Sequence, residues 1–181
     1  MSEPSSAVRP TTPATSLPAS WAVYGAAAWA LVFAAMSFYW AAGGSIGAST
    51  VSDAIVQPAR AREPGFVAVL WATGALKAIA GLLALALIWP RNQLLPRWIP
   101  LTATWVAGVG MLLYGGANLA VRGIMAVGLM ATPESMHSAA ARWHLFLWDP
   151  WWVLGGALFV VAAWSSGRLP RRGPSPAGGH P

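Results

Sequence analysis

Four long apolar stretches, separated by shorter polar segments, form the strongest pattern in the chain. They lie at about residues 21–43, 66–89, 99–121 and 149–166. A helix of about 20 apolar residues crosses a 30 Å hydrocarbon core, where backbone N–H and C=O groups must satisfy one another. The first three stretches reach that length and the fourth comes close. The pattern predicts an all-α fold, a four-transmembrane-helix bundle. A further element is predicted before the last span. Thr132-Pro133-Glu134 reads as a helix start, with Thr as N-cap, Pro at the first position and an acid in the first turn. Met136, Ala140, Trp143 and Leu147 then recur at helical spacing, which predicts a short amphipathic surface helix over about 133–145.

The flanks differ in kind from the spans. Residues 1–19 are rich in Pro, Ser and Thr, and residues 167–181 are basic and rich in Pro and Gly. Neither stretch has enough apolar surface to offset the entropy of ordering, so both are expected to be disordered tails around a membrane domain at 20–166. The first apolar run is too long for the core of a signal peptide and reads as an uncleaved anchor. Trp21, Trp40, Trp89, Trp98, Trp148, Trp151, Trp152 and Trp164 fall near span ends, where a bilayer interface favours the indole ring. Trp29, Trp71 and Trp105 fall inside spans and read as packing residues.

Composition reinforces the membrane reading. The chain is 56% hydrophobic and only 9% charged, against about 25% charged in soluble domains. It has no cysteine, which excludes disulfides, thiol redox catalysis and Cys-ligated metal centres. The net charge of +6 is spread over span ends and the C-terminal tail. That placement fits the positive-inside rule and not a nucleic-acid surface, so the bilayer is the expected partner and nucleic acid is not. Arg9, Arg91, Arg97, Arg168, Arg171 and Arg172 share one side, and Arg60, Arg62, Arg122 and Arg142 the other, where acids balance them. Both termini are therefore expected in the cytoplasm, with the protein multi-pass in the inner (plasma) membrane.

Few side chains remain to carry chemistry. Lys77 lies about 11 residues into the second span, near mid-depth, where a charge costs roughly 2.5–3.5 kcal/mol on insertion scales. It shares a helix face with Thr73, Gly74 and Gly81, so it is expected to point into the bundle. In the third span Gly108, Met111, Gly115, Asn118 and Arg122 form a second stripe. Asp149 precedes Pro150 and an apolar run, and reads as the N-cap of the last helix with lone pairs to spare for Arg122, Arg142 or His144. His137 and His144 sit seven residues apart. That is about 10.5 Å of rise, too far for both to ligate one metal from a straight helix. No histidine lies within a span to hold a haem, so neither metal nor cofactor is expected.

Under this topology Trp40, Asn118, Arg122, His144 and Asp149 gather toward the outer leaflet, above Lys77. These six are the expected ligand-binding residues, in an aromatic-lined pocket open to the outer side with Lys77 as its floor. With no nucleophile–base pair in view, the expected role is an accessory subunit, or a binder of a lipid or small hydrophobic molecule, with a possible membrane protein partner. The alternatives are a small isomerase-like membrane enzyme acting on a lipid-soluble substrate, in which Lys77 or Asp149 handles protons, and an oligomeric transporter or channel.

Two short motifs carry a resemblance. Tyr39-Trp40-x-x-Gly43-Gly44 ends the first span, and Asp149-Pro150-Trp151 followed by Gly155-Gly156 begins the last. In these, residues 20–166 resemble an uncharacterised family of small four-helix integral membrane proteins common in actinobacteria. The resemblance implies the fold and no reaction. Phe38 stands near the place where many relatives carry a histidine, so a proton relay built on that residue is not carried over.

Overall fold

The computed structural model describes residues 20–51, 58–59, 61–89, 95–131, 133 and 138–168. The expected disordered tails, and most of the first half of the expected surface helix, lie outside the described residues. Helix α1 spans Ser20–Ala41, and a short α2 spans Ala48–Val51. Helix α3 is Pro64–Ala86 and α4 is Trp98–Ala126. Helix α5 (Ala139–Trp143) runs through a π-turn, His144–Trp148, into α6 (Asp149–Gly167). Among the described residues every regular element is helical. Four helical runs are long and apolar enough to cross a membrane: Ser20–Ala41, Pro64–Ala86, Trp98–Ala126 and Ala139–Gly167. The protein is a multi-pass, all-α membrane protein.

α1 packs along α3, α4 packs along α6, and α1 also meets α6, so that α1 is the central element. Half of its most apolar window is buried, against 17% for α3 and for α4. Its buried face is built mostly from small side chains, including Ala22, Ala26, Ala27, Ala30, Ala34 and Ser37. In lipid, water exclusion does not drive helices together, so close packing of small residues must do so. The outward faces of α3 and α4 present Leu76, Leu82, Val106 and Leu113, more than half exposed, as a lipid-facing helix should.

The closest approach joins α4 to α6. A Cβ on Gly156 would stand 2.7 Å from the Leu112 nitrogen and 2.9 Å from the Gly108 carbonyl oxygen. A Cβ on Gly108 would stand 2.8 Å from the Val160 nitrogen. The obstacles are backbone atoms, which cannot rotate aside, so only glycine fits at the contact. At the lower end, which carries both tails, the Arg97 guanidinium donates to the Ser166 carbonyl at 2.6 Å. A cation on the last carbonyls of a helix opposes the negative end of its dipole, and here it also ties the start of α4 to the end of α6.

Two local expectations need correction. Asp149 is not an N-cap: its backbone is helical (φ −68, ψ −46), and it lies inside a continuous run from α5 to α6. Proline inside a helix lacks one N–H and its ring presses on the carbonyl four residues back. The π-turn relieves this, because the Asp149 N–H bonds five residues back to the His144 carbonyl just before Pro150. The helical cap lies further upstream, where Ser138 accepts from the Ala141 N–H at 3.2 Å. The short helix before the last span is thus joined to it. The second correction concerns length: α4 runs to Ala126, past the expected end at 121.

Candidate functional site

At the upper end, opposite the tails, the chain places Arg122 in the penultimate turn of α4 and Asp149 at the head of α6. Their side chains meet at 2.5 Å, with the Asp149 carboxylate 1% exposed. Asn118, one turn before Arg122, turns its oxygen to the same guanidinium at 3.5 Å and donates its amide to the Tyr114 carbonyl at 2.8 Å. The His144 Nδ1 stands 3.6 Å from the second Asp149 oxygen, beyond hydrogen-bonding range. Its Nε2 faces the Val51 carbonyl at 2.7 Å, and since a carbonyl only accepts, Nε2 holds the proton there.

The π-turn creates this meeting. Five residues of regular α-helix would set His144 and Asp149 about 140° apart, whereas a five-residue hydrogen bond stacks them. The buried Arg122 Nε, His144 Nδ1 and Asp149 Oδ1 have no direct partner.

The same segment anchors the loop after α1. Trp148 donates its indole N–H to the Thr50 carbonyl at 3.1 Å and hydroxyl at 3.2 Å, beside the His144–Val51 contact. Trp40 donates to the Ile46 carbonyl at 2.9 Å. α1 itself ends in a paired glycine cap. The Gly44 N–H bonds to the Tyr39 carbonyl and the Gly43 N–H to the Trp40 carbonyl, with Gly43 at φ +106. This is the Schellman arrangement, and it accounts physically for the first sequence motif. In the second motif, Gly155 gives room to the Trp29 indole while Gly156 meets α4.

Lys77 stands apart from this cluster. Its Nζ donates to Ser37 Oγ at 2.8 Å and lies 3.8 Å from the centre of the Phe33 ring. Among the described residues it forms no salt bridge. It braces α3 against α1 by one hydrogen bond and a cation–π contact. Phe33 in turn stacks on Trp148 at 6.1 Å and meets Trp152 edge-on at 5.1 Å. Trp29, Phe33, Trp148 and Trp152 all belong to the packed core or border it.

Phe33, on which Lys77 rests, thus joins it through Trp148 to the residue before Asp149. Trp148, expected in an interfacial belt, is 7% exposed. The helix continues upstream of Asp149, which carries that ring into the bundle instead of leaving it at the rim.

One upper-end cleft lies beside the end of α1. It measures about 320 Å³ and is lined by Gly43, Gly44, Ser45, Ala48, Ser49, Ala59 and Arg62. None of the six expected ligand-binding residues is among its described lining. Sequence reasoning passed over Arg62, placing it among loop charges. A second recess of about 380 Å³ at the lower end is lined, among the described residues, by Tyr24, Leu85, Ile88 and Trp89, none of them charged.

No curated protein and no solved structure matches the chain. A family match covers residues 30–159, from the middle of α1 to the middle of α6, and includes both glycine motifs. The chain belongs to that family, described as proteins of unknown function (DUF3995).

Proposed function

We propose that this protein is a non-enzymatic membrane protein that binds a lipid or another small hydrophobic molecule at its non-cytoplasmic end, alone or as an accessory subunit. The carrying observation is the cleft between the α1–α2 connection and the approach to α3, which lies where the lipid-facing surfaces of α1 and α3 begin. The named polar side chains deeper in the bundle are engaged in joining helices. Arg122 and Asp149 tie α4 to α6, Lys77 ties α3 to α1, and His144 and Trp148 hold the segment at α2. In this reading Trp40, Asn118, Arg122, His144 and Asp149 shape and hold the upper end, and ligand contact falls to the cleft.

The orientation belongs to the same proposal: both tails in the cytoplasm and the cleft on the outer side of the plasma membrane. The chain has no native cysteine, so single-cysteine variants report sidedness directly. In intact cells Ser45→Cys should react with a membrane-impermeant maleimide and Ser5→Cys should not; the reverse pattern overturns the orientation. Binding is tested by extracting the protein in polymer discs and analysing it by native mass spectrometry. A retained lipid or small hydrophobic molecule, alone or in a complex with another protein, is the expected result. A bare monomer from every membrane tried would refute the reading.

A further inference from the structure

We infer that the upper cleft is a phosphate site, with Arg62 as its anchor, and that its ligand carries an anionic phosphate group at headgroup level. This inference rests on the binding role proposed above and names the chemistry of the ligand.

The backbone builds the seat for the guanidinium. Arg62 adopts φ 51, the one positive value recorded for a non-glycine residue among the described ones. Its side chain lies directly over Gly43, where a Cβ would collide with the guanidinium. The second glycine of the helix end closes the cap, and the first leaves open the space that the arginine fills. Nη2 reaches the Ala41 carbonyl at the long distance of 3.4 Å. That contact occupies one of five guanidinium donors. Both flanking segments are therefore shaped to hold a cation over the end of α1.

Three further observations point to an anion. Among the described residues the lining contains Ser45 and Ser49, two hydroxyls that can donate, and no carboxylate. Among the described residues Arg62 has no acidic partner, whereas Arg122 has Asp149. Arg62 lies just outside the first turn of α3, the depth at which phospholipid phosphates reside. Planar guanidinium groups bind phosphate through two parallel hydrogen bonds, with Ser donors adding to them. Below the cleft, α1 and α3 expose Tyr39 and Trp71, and Trp71 packs on Phe38 at 5.2 Å. An acyl chain hanging from a phosphate at Arg62 would lie against these rings.

The ligand could be a lipid headgroup or free phosphate, and one experiment separates them. Wild type, Arg62→Gln and the Ser45→Ala/Ser49→Ala double variant are placed in nanodiscs of phosphatidylcholine with or without phosphatidylglycerol. Retained lipid is measured by native mass spectrometry, with inorganic phosphate then added as competitor. Wild type should retain phosphatidylglycerol over phosphatidylcholine, and Arg62→Gln should lose about tenfold of that preference, the scale of one charge-assisted hydrogen bond. The serine pair, which leaves the α1 cap intact, should lose a smaller part of it. Displacement by millimolar inorganic phosphate, or phosphate binding in discs of phosphatidylcholine alone that Arg62→Gln abolishes, supports the anion site and assigns free phosphate as its ligand. Equal retention of both lipids with no phosphate binding, or an unchanged preference in Arg62→Gln, overturns the phosphate site while leaving lipid binding standing. Loss of all retained lipid, with no phosphate binding, sinks both readings.

Discussion

The two helix pairs of this bundle are held by different means. α4 and α6 meet backbone to backbone at Gly108 and Gly156 and close at the upper end on the buried Arg122–Asp149 pair. α1 and α3 meet through small side chains, with a Cβ on Gly81 set to stand 3.2 Å from the Ala30 methyl, and share one lysine resting on Ser37 and Phe33. The first pair is rigid in its tolerances, because neither a backbone atom nor a buried carboxylate has anywhere to go. The second is forgiving. A mid-bilayer charge draws the eye in the sequence, yet its two contacts are individually modest. The charges nearer the rim matter more, because the Asp149 carboxylate is buried against the Arg122 guanidinium.

Breaking this contrast is straightforward. The largest effect is expected from Arg122→Met, which leaves the Asp149 carboxylate buried and unpaired; removing one partner of a buried pair costs about 3–5 kcal/mol. Reversible unfolding in bicelles measures it. The double variant Arg122→Met/Asp149→Leu should recover most of that loss, and a double variant as damaged as the single one would show that the pair is not the source.

Next comes Gly156→Ala. The added methyl meets backbone on α4, so a loss of about 1–3 kcal/mol is expected, as for overpacked cores. A neutral result would mean that α4 and α6 can separate freely.

Lys77→Met sharpens the comparison, because it acts on two processes with opposite sign. Losing the Ser37 hydrogen bond and the ring contact should weaken α1–α3 packing by about 1 kcal/mol. Insertion of α3 should improve, since a charge at mid-span costs roughly 2.5–3.5 kcal/mol there. A glycosylation-based insertion assay reads the second effect and unfolding reads the first. If Lys77→Met proved more damaging than Arg122→Met, the ranking of the two pairs would be inverted.

The smallest effect is expected at Gly81→Ala. Its methyl would sit 3.2 Å from Ala30 and 3.3 Å from the Ala27 carbonyl oxygen, a displacement of a few tenths of an ångström. A better helix former offsets much of that strain, so the change in unfolding free energy should stay below about 0.5 kcal/mol. A loss comparable to that of Gly156→Ala would erase the distinction between the pairs.

Legibility in the sequence varied with the kind of information each residue carries. The stripes containing Gly108 and Gly115, and Gly74 and Gly81, announced helix contacts because a missing side chain is a local sign of close approach, and they do face α6 and α1. The meeting of Arg122 with Asp149 was open as one of three pairings, since a carboxylate at the head of a helix says nothing about which cation is near. Asp149-Pro150 has the local signature of a helix start, and it misled because the cap chemistry at Ser138 and the π-turn stand upstream of it. Trp148 looked like an interfacial ring for the same reason. Arg62 carried no sign of its place over Gly43, because that place depends on a positive φ in a loop.

What the chain settled unaided is what depends on one residue and its solvent: four apolar runs of spanning length, and faces of small residues within them. Transfer into lipid is nearly additive along a helix, so hydropathy and spacing contain it. What needed the folded molecule is what depends on pairs. Only the π-turn register stacks His144 on Asp149, only the neighbour chosen by α4 gives Arg122 its carboxylate, and only the turn before α3 lays a guanidinium across the end of α1. Such contacts join residues distant along the chain, and their free energy exists only once the helices have met.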